Sequence, residues 1–319
     1  MKYQGITGTF LNEVTYDIPS QNWGPREWER EFDTFVEAGI DTAILIAAGR
    51  GARLAYPSTV IPKHVRTMPV YQDLVKLYLD LAEPRDINIY LGLYDSNYYW
   101  HRYDWETEVN INLDVIAELH DMYGDSPAFG GWYLPHETAD SSLRILDINT
   151  ALATRIRAVD SKPILVSPYF QGLYDMVYGF ANIQYSADPR QLPRTPDEHV
   201  RVWREIFRRY EGLVDQCAFQ DGTIADPLSL GDWFGPTKEL AHQHGIQLWC
   251  NMETFDRNMP LKFPPADWRD LAYKLDAIQP HVDKIITFEF SHFLSPNSSS
   301  PGAAALYARY NEHMLARQA

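Results

Sequence analysis

Residues 246–253 read IQLWCNME, a short apolar run of strand-forming residues that ends in a carboxylate. Similar runs recur along the chain, and each is followed by a longer stretch with the apolar spacing of an amphipathic helix. The strand candidates are GITGTF (5–10), TAILIAA (42–48), INIYLGLY (87–94), AFGGWYL (128–134), ILVSPY (164–169), VDQCAFQ (214–220), IQLWCNME (246–253) and KIITFEF (284–290). The helix candidates lie near 25–38, 69–83, 106–123, 141–158, 196–211, 234–244, 266–279 and 302–316. This alternation predicts an α/β fold, a (β/α)8 TIM barrel that spans residues 1–319 as a single domain.

The first strand and the helix boundaries favour the barrel over a doubly wound sheet. A doubly wound sheet would usually carry a glycine-rich phosphate turn after its first strand, and GITGTFLNE (5–13) has no GxGxxG. Pro25 suits the first position of a helix, and Gly39 suits the residue just past its end. Asp267, which follows two prolines, predicts the start of another helix.

Composition limits the partners that the chain can bind. The chain has 28 Lys and Arg against 43 Asp and Glu, which gives a formal charge of −15. Such a field repels nucleic acid and anionic membranes, so we expect neither as a partner. Nine Trp, twenty Tyr and fourteen Phe offer rings on which the C–H faces of sugars can stack. We therefore expect a carbohydrate partner and no cofactor.

Two cysteines and the amino-terminal residues indicate the cellular compartment of the protein. Cys217 and Cys250 are predicted on opposite faces of adjacent strands, which argues against a disulfide. The first residues run directly into a strand, and no apolar stretch approaches the ~20 residues that a membrane span requires. We expect a cytoplasmic protein, although an export signal could have been removed. The sequence carries no signal for an oligomeric state.

Four carboxylates follow the ends of predicted strands, where barrel enzymes place their catalytic groups. These are Glu137 after strand 4, Asp221 after strand 6, Glu253 at the end of strand 7 and Glu289 on strand 8. One such carboxylate could cap a helix or pair with an arginine, but four on one rim favour proton-transfer or metal chemistry. Glycoside cleavage needs two carboxyl groups, an acid and a nucleophile or base.

The strand-4 and strand-7 glutamates are predicted to be the catalytic pair. Glu137 follows GWYLPH, where apolar rings would keep a carboxyl protonated, and Glu253 shares a strand face with Trp249 and Asn251. The other expected substrate-binding residues stand at strand ends or in the loops that follow them. They are Asn22, Trp23, Arg50, Tyr94, Trp100, Trp132, His136, Tyr169, Asp221, Trp249, Asn251, Glu289 and His292.

The glutamate pair resembles the large clan of retaining (β/α)8 glycosidases, in which the first glutamate is the acid/base and the second the nucleophile. The stretches GTFLNEVTYDIPSQNWG (8–24), GWYLPHE (131–137), FQDG (219–222) and WCNMETF (249–255) also resemble a bacterial domain-of-unknown-function family assigned to barrel glycosidases. The resemblance covers nearly the whole chain. It implies a retaining glycoside hydrolase that acts on a neutral oligosaccharide, polysaccharide or glycoside.

One residue departs from the clan's pattern. The clan usually has an asparagine before the acid/base to hold the sugar 2-hydroxyl, and this chain has His136. His136 could take that role, or the clan assignment could fail. Asp221 keeps a second pairing open, because other barrel glycosidases place their carboxylates on strands 4 and 6.

Two alternatives to hydrolysis remain. The carboxylates together with His136 and His292 could form an oxygen-rich divalent-metal site, as in barrel sugar isomerases, epimerases and lyases. No HExxH spacing supports this, and the HxH of residues 242–244 falls at the end of a predicted helix rather than at a strand end, so we expect no metal. The second alternative is a carbohydrate-binding barrel without catalytic activity.

Overall fold

The structure is a computed structural model that describes residues 3–16, 18–138, 144–172, 194–224, 226–256 and 263–318. Eight parallel strands close into one barrel, each hydrogen-bonded to its chain neighbours and the eighth to the first. The strands are β1 (Gly8–Leu11), β2 (Thr42–Leu45), β3 (Asn88–Gly92), β4 (Phe129–Leu134), β5 (Ile164–Val166), β6 (Gln216–Gln220), β7 (Gln247–Glu253) and β8 (Lys284–Phe288). The (β/α)8 prediction is confirmed.

Helices follow the strands and cover the outside of the barrel. They are α1 (Pro25–Ala38), α2 (Leu74–Ala82), α3 (Trp105–Tyr123), α4 (Ile145–Val159), α5 (Pro196–Tyr210), α6 (Leu230–Gln243), α7 (Trp268–Ile278) and α8 (Pro301–Gln318). α1 begins at Pro25, and Gly39 caps its end with a left-handed φ of 78°, as the residue types predicted. α7 begins after Asp267, which accepts a hydrogen bond from the main-chain N–H of Arg269.

Two predicted helix starts are wrong. α2 begins at Leu74 rather than at 69, because Asp73 caps it and accepts a hydrogen bond from the N–H of Lys76. α6 begins at Leu230 rather than at 234, and it carries Pro236 inside the helix, a position where a proline usually argues against one. The first predicted residues of the fourth helix, 141–143, lie outside the described residues.

An apolar cluster in the barrel interior takes one inward side chain from each strand. The eight are Phe10, Ile44, Tyr90, Tyr133, Leu165, Ala218, Trp249 and Ile286. Alternate residues of the same strands point outward and pack against the helices in a larger apolar core. This alternation fixes which strand residues can face the mouth of the barrel.

Cys217 and Cys250 correct one of our predictions. Both thiols are buried and free, and both side chains point outward into the core beneath the helices. They therefore share a face, contrary to our prediction, and lie two positions apart in the β6–β7 register. In the part of the chain that the structure describes, no helix has the length and apolar character needed to cross a membrane.

Candidate active site

Glu253 ends β7 on its inward face, at the carboxyl-terminal mouth of the barrel. The side chain is 3% exposed. Its carboxylate lies directly against the α-carbon of Gly222, where a β-carbon would come within 1.8 Å of Oε2. A glycine at position 222 is therefore what allows the carboxylate to occupy this position.

A buried ion pair fixes the backbone of Glu253. Asp221 Oδ1 accepts a hydrogen bond of 2.8 Å from the main-chain N–H of Glu253. Lys274 Nζ, from α7, lies 2.7 Å from Asp221 Oδ2 and donates to the main-chain oxygen of Glu253 at 2.9 Å. The N–H and the C=O of one residue are thus held by two side chains that also neutralise each other. We call Asp221 and Lys274 the clamp.

Burial and charge act in opposite directions within the clamp. Burial raises the pKa of Asp221, while the Lys274 charge and the N–H of Glu253 oppose that rise. Burial by itself would lower the pKa of Lys274, but the carboxylates of Asp221 and Glu253 raise it. Lys274 therefore stays cationic at neutral pH and compensates for the burial of two carboxylates.

Glu137 follows β4 and, unlike Glu253, is exposed. Its Oε1 accepts a hydrogen bond of 3.0 Å from Gln220 Nε2, and the same nitrogen donates to the main-chain oxygen of Ser167 at 3.1 Å. This exposure differs from the apolar enclosure that we expected for Glu137. Glu137 and Glu253 instead contact the same short segment, 220–222: one through Gln220, the other through Gly222.

Polar side chains fill the upper interior of the barrel between these two carboxylates. Asn251, 3% exposed, donates from Nδ2 to Ser167 Oγ at 3.0 Å, and that hydroxyl donates to the main-chain oxygen of Ala218 at 2.9 Å. Tyr169 is half-buried and pairs through a parallel bridge with Gln220. Asn251 and Tyr169 therefore stand where the sequence placed them, at the top of the barrel interior.

His136 turns away from the mouth, which corrects its expected role beside the sugar. It is 2% exposed, and its Nε2 lies 3.0 Å from Oε1 of Glu108 on α3. Glu108 in turn accepts a 3.0 Å hydrogen bond from the N–H of Ser96. Alternation explains the direction: Glu137 points inward, so His136 before it points outward.

Trp132 and Tyr94 are also core residues rather than ligand-contacting ones. Both are 0% exposed. The indole N–H of Trp132 donates to Asp160 at 2.9 Å, and the hydroxyl of Tyr94 donates to the main-chain oxygen of Gly51 at 2.8 Å. Their expected contacts with substrate are therefore corrected, because neither ring offers surface to a ligand.

Glu289 and His292 form a buried pair outside the mouth. Glu289 therefore does not join the other carboxylates that we predicted at the rim. Glu289 Oε2 lies 2.6 Å from His292 Nδ1 and also accepts from the N–H of that residue. His292 Nε2 lies 2.7 Å from the main-chain oxygen of Pro19. Burial alone would lower the pKa of His292, but the charge of Glu289 and these hydrogen bonds raise it to about 9.

Two tryptophans predicted as sugar platforms are used elsewhere. Trp249 faces inward but lies at the amino-terminal end of the barrel. Lys284 Nζ lies 5.3 Å from the centre of the Trp249 ring, and the indole N–H of Trp249 donates to Gln247 Oε1. Trp100 is 9% exposed and donates from Nε1 to Asp95 at 2.8 Å. Trp249 therefore lies too deep for a ligand at the mouth.

Three predicted residues lie at the rim: Asn22 and Trp23 in the loop after β1, and Arg50 in a short strand (Gly49–Arg50) after β2. Arg50 Nε lies 3.3 Å from Asp95 Oδ2, and the side chain is 29% exposed. Asn22 is exposed and has a left-handed φ of 56°. Trp23 is half-buried against Trp28 of α1, with ring centroids 5.0 Å apart. Arg50 and Asn22 keep surface at the rim, whereas part of Trp23 is used in packing.

A metal could be held by one set of residues within the described ranges. Ligand atoms of Asp95, Glu108 and His136 all lie within 4.8 Å of one another. Asp95 Oδ1 already accepts from Trp100 and from the N–H of Asn97, and its Oδ2 faces Arg50. An arginine and N–H donors directed at the carboxylates compete with a cation, so these residues fit an ion poorly.

Sequence reasoning missed Lys274 and Glu108. A signal for both was present, because each charged residue stands on the apolar face of its helix. Lys274 lies between Leu271 and Leu275 in the helical repeat of buried positions, and Glu108 precedes the buried Val109. A charge on such a face needs a buried partner, and this predicts an ion pair or hydrogen-bond network behind the strands.

Comparisons with known proteins support the family and the barrel fold. The family described as "Domain of unknown function (DUF4434)" matches residues 6–300. A crystal structure of a Bacteroides thetaiotaomicron VPI-5482 protein, provisionally named an α-L-fucosidase, is 39% identical with a TM-score of 0.89. The alignment covers 98% of this chain and 94% of that one. No curated protein is significantly similar in sequence.

More distant structures share the fold alone. Endoglucanase Cel5A from Thermotoga maritima has a TM-score of 0.60 at 13% identity, covering 98% of this chain and 96% of that one. The endo-1,4-β-D-mannanase of Thermotoga petrophila RKU-1 has a TM-score of 0.55 at 10% identity, covering 98% and 100%. Both alignments therefore span nearly the whole barrel.

Proposed function

This chain belongs to the DUF4434 family, as its sequence motifs predicted, and we propose that it is a glycoside hydrolase whose two catalytic carboxylates are Glu137 and Glu253. The observation that carries the proposal is their common contact with the segment 220–222. Gln220 donates to Glu137, and the carboxylate of Glu253 lies on Gly222. One carboxylate after β4 and one at the end of β7 thus contact the same short segment, which supports a shared site at the mouth of the barrel.

The two environments suit two different roles. Glu253 is buried and its backbone is fixed by the clamp, which suits a nucleophile that must meet the anomeric carbon in one orientation. Glu137 is exposed and is held at one oxygen by Gln220, which suits a group that gives a proton to a departing alcohol and later takes one from water.

The reaction proposed is a double displacement with retention. A carboxylate oxygen of Glu253 bonds to the anomeric carbon while the bond to the leaving oxygen breaks, and that oxygen takes the proton of Glu137. Water then gives a proton to Glu137 and bonds to the anomeric carbon, which releases Glu253. The remaining polar groups of the upper interior, Asn251 and Tyr169, would contact sugar hydroxyls.

Asp221 is not proposed as a catalytic carboxylate. Both of its oxygens are used by the clamp, one by the N–H of Glu253 and the other by Lys274. A nucleophile or base must have an oxygen free to reach substrate or water. The strand-4 and strand-6 pairing is therefore less favoured than the pairing of Glu137 with Glu253.

A panel of aryl glycosides tests the proposal. The panel should include α-L-fucosides, which the name of the Bacteroides relative suggests, together with common hexosides and pentosides. We expect release of the aryl group from at least one member, with loss in Glu253→Gln and no loss in Glu106→Gln, a change at an exposed glutamate of α3. Absence of turnover on every member, with bound sugar retained, would favour a binding protein.

A further inference from the structure

A small three-stranded sheet follows the ends of β2 and β3. Its strands, in order across the sheet, are Arg53–Leu54, Gly49–Arg50 and Tyr94–Asp95. The register pairs Arg50 with Arg53 on one side and with Asp95 on the other. Residues that pair in register project to the same face of a sheet, so two guanidinium groups and one carboxylate form a row. We call Arg53, Arg50 and Asp95 the charged row.

The charged row faces the mouth of the barrel rather than the core. Tyr94, beside Asp95 in the same strand, is 0% exposed and packs into the apolar core beneath the helices. Neighbouring residues of a strand project to opposite faces, so the row projects away from that core. Burial raises the pKa of Tyr133, an inward residue of β4, the charges of Glu137 and Asp95 raise it further, and that of Arg50 lowers it. The row and Glu137 therefore act on one hydroxyl at the top of the barrel interior.

One positive charge of the row is not balanced. Arg50 Nε lies 3.3 Å from Asp95 Oδ2. Arg53 forms no salt bridge with any residue that the structure describes: its Cζ lies 4.5 Å from the centre of the Tyr16 ring, and its Nη1 donates to the main-chain oxygen of Thr15 at 3.3 Å. Like charges directly opposite each other on paired strands repel. A second anion beside the two arginines would remove that repulsion.

The segment that carries the two arginines is basic, although the chain as a whole is acidic. Residues 42–72 contain no Asp or Glu, and they include Arg50, Arg53, Lys63 and Arg66 in a chain of formal charge −15. Arg53, Lys63 and Arg66 are exposed. The acidic groups elsewhere repel polyanions, so this local positive field suits a single anionic group on an otherwise neutral molecule.

We infer that the charged row binds an anionic substituent, a carboxylate or a sulfate ester, on a sugar bound beside Glu137. The inference rests on the proposed function, and it adds the chemical class of the substrate. A guanidinium presents its N–H donors in a planar fork that matches two oxygens of a carboxylate or a sulfate. Arg53 supplies that fork, with the Tyr16 ring beneath it, while Arg50 remains paired with Asp95.

Sugar binding to the wild-type protein tests the inference without requiring turnover. Charged sugars are compared with their neutral parents by NMR titration at pH 7. Glucuronic and galacturonic acids test the carboxylate, and galactose 6-sulfate and N-acetylglucosamine 6-sulfate test the sulfate ester. At least one charged sugar should bind about tenfold more tightly than its parent, and the arm that contains it identifies the anionic group. Equal affinities in every pair, or no binding by any of these sugars, overturns the inference.

Inorganic sulfate and acetate are titrated alongside the sugars. Each should bind far more weakly than the best charged sugar, because neither has a sugar ring to contact the polar groups at the mouth. If either ion binds as tightly as that sugar, the row holds an ion rather than a substituent of the substrate, and the inference fails.

Substitutions at Arg53 locate the preference for charged sugars. Arg53→Gln removes the unbalanced charge and should reduce the preference to about twofold or less, whereas Arg53→Lys keeps the charge without the fork and should retain part of it. Arg208→Gln is the control, because it removes the same charge from an exposed arginine of α5 and should leave the preference unchanged. An unchanged preference in Arg53→Gln contradicts the assignment to this row. If that variant does not fold, the wild-type sugar pairs still decide.

The two proposals can fail separately. Tight binding of a charged sugar, without hydrolysis of any charged or neutral aryl glycoside, removes the proposed hydrolase activity and leaves the inference standing. Hydrolysis of neutral aryl glycosides, with no preference for a charged sugar in binding or turnover, removes the inference and leaves the hydrolase.

Discussion

The carboxylate of Asp221 accepts the main-chain N–H of Glu253 at 2.8 Å, from the strand next to it. Lys274 then joins the acid to the main-chain oxygen of the same glutamate. The orientation of Glu253 therefore depends on two residues that do not themselves face the mouth. This makes Asp221 and Lys274 positioning residues, and their effects on turnover and on stability can be separated.

Removing the cation should destabilise the fold and slow turnover. Lys274→Met leaves Asp221 buried without its partner, which should cost about 3 kcal/mol of unfolding free energy. The double change Lys274→Met with Asp221→Asn should recover most of that stability, because no lone charge remains. In both variants kcat should fall at least about tenfold with little change in KM, since Glu253 has lost a hydrogen bond that orients it.

Urea unfolding and steady-state kinetics on these variants measure the two effects. Lys76→Met is the matched control, because Lys76 forms an exposed ion pair with Asp80 on α2 and should leave both quantities nearly unchanged. Full kcat in the double variant would show that the clamp contributes to stability alone.

Adding one carbon at Gly222 should impair the site more than the fold. A β-carbon there would lie 1.8 Å from Oε2 and 2.1 Å from the carboxyl carbon of Glu253, so the carboxylate must move. Gly222→Ala should lower kcat by about 100-fold, because a displacement near 1 Å is enough for such a loss. Gly302→Ala, whose nearest contact is 3.3 Å away in Pro265, is the control. Normal kcat in Gly222→Ala would mean that Glu253 need not hold this position.

Losing the proton donor should affect substrates according to their leaving groups. Glu137→Gln should reduce kcat/KM by about 10³-fold for alkyl glycosides or disaccharides, and far less for dinitrophenyl glycosides, which depart without a proton. Gln220→Ala should give a weaker form of the same pattern, because Glu137 loses its 3.0 Å hydrogen bond. An equal loss for every leaving group would exclude Glu137 as the acid.

Alkaline pH should lower the free energy of unfolding, because His292 loses the charge that pairs it with Glu289. The pKa of His292 is raised from 6.5 to about 9, so its stabilising effect is complete below pH 6.5 and is lost as the pH rises through 9. The loss amounts to about 3 kcal/mol at most. Urea unfolding at pH 6.5 and 9.5 should show it in the wild type and not in His292→Gln. The same pH dependence in both proteins would assign the effect to other groups.

The fold could be predicted from the sequence because local patterns repeat it eight times. Strand periodicity, Pro25 and Gly39 all indicated boundaries that the structure has. The start of α6 shows the limit: the predicted range 234–244 already contained Pro236, but the helix begins four residues earlier, at Leu230, after Ser229, which makes no side-chain cap hydrogen bond.

The site was predicted less completely, because a strand end does not reveal the side on which its last side chain emerges. Glu137 and Glu253 point inward, but Glu289 points outward toward His292, and His136 toward Glu108. Alternation gives these directions when it is counted from the inward Tyr133 and Ile286, but which residues point inward is known only once the barrel is closed. The clamp comes from the segment after β6 and from α7 and holds the last residue of β7, and only the closed barrel brings these three elements together.

The most direct test of the account is chemical rescue of a nucleophile variant. Glu253→Ala should lose activity on an activated aryl glycoside by several orders of magnitude, and added azide should restore turnover with a glycosyl azide whose anomeric configuration is opposite to that of the substrate. That product would place the missing nucleophile at Glu253. Near-wild-type activity in Glu253→Ala, with activity lost instead in Asp221→Asn, would contradict the account and assign the second carboxylate to β6.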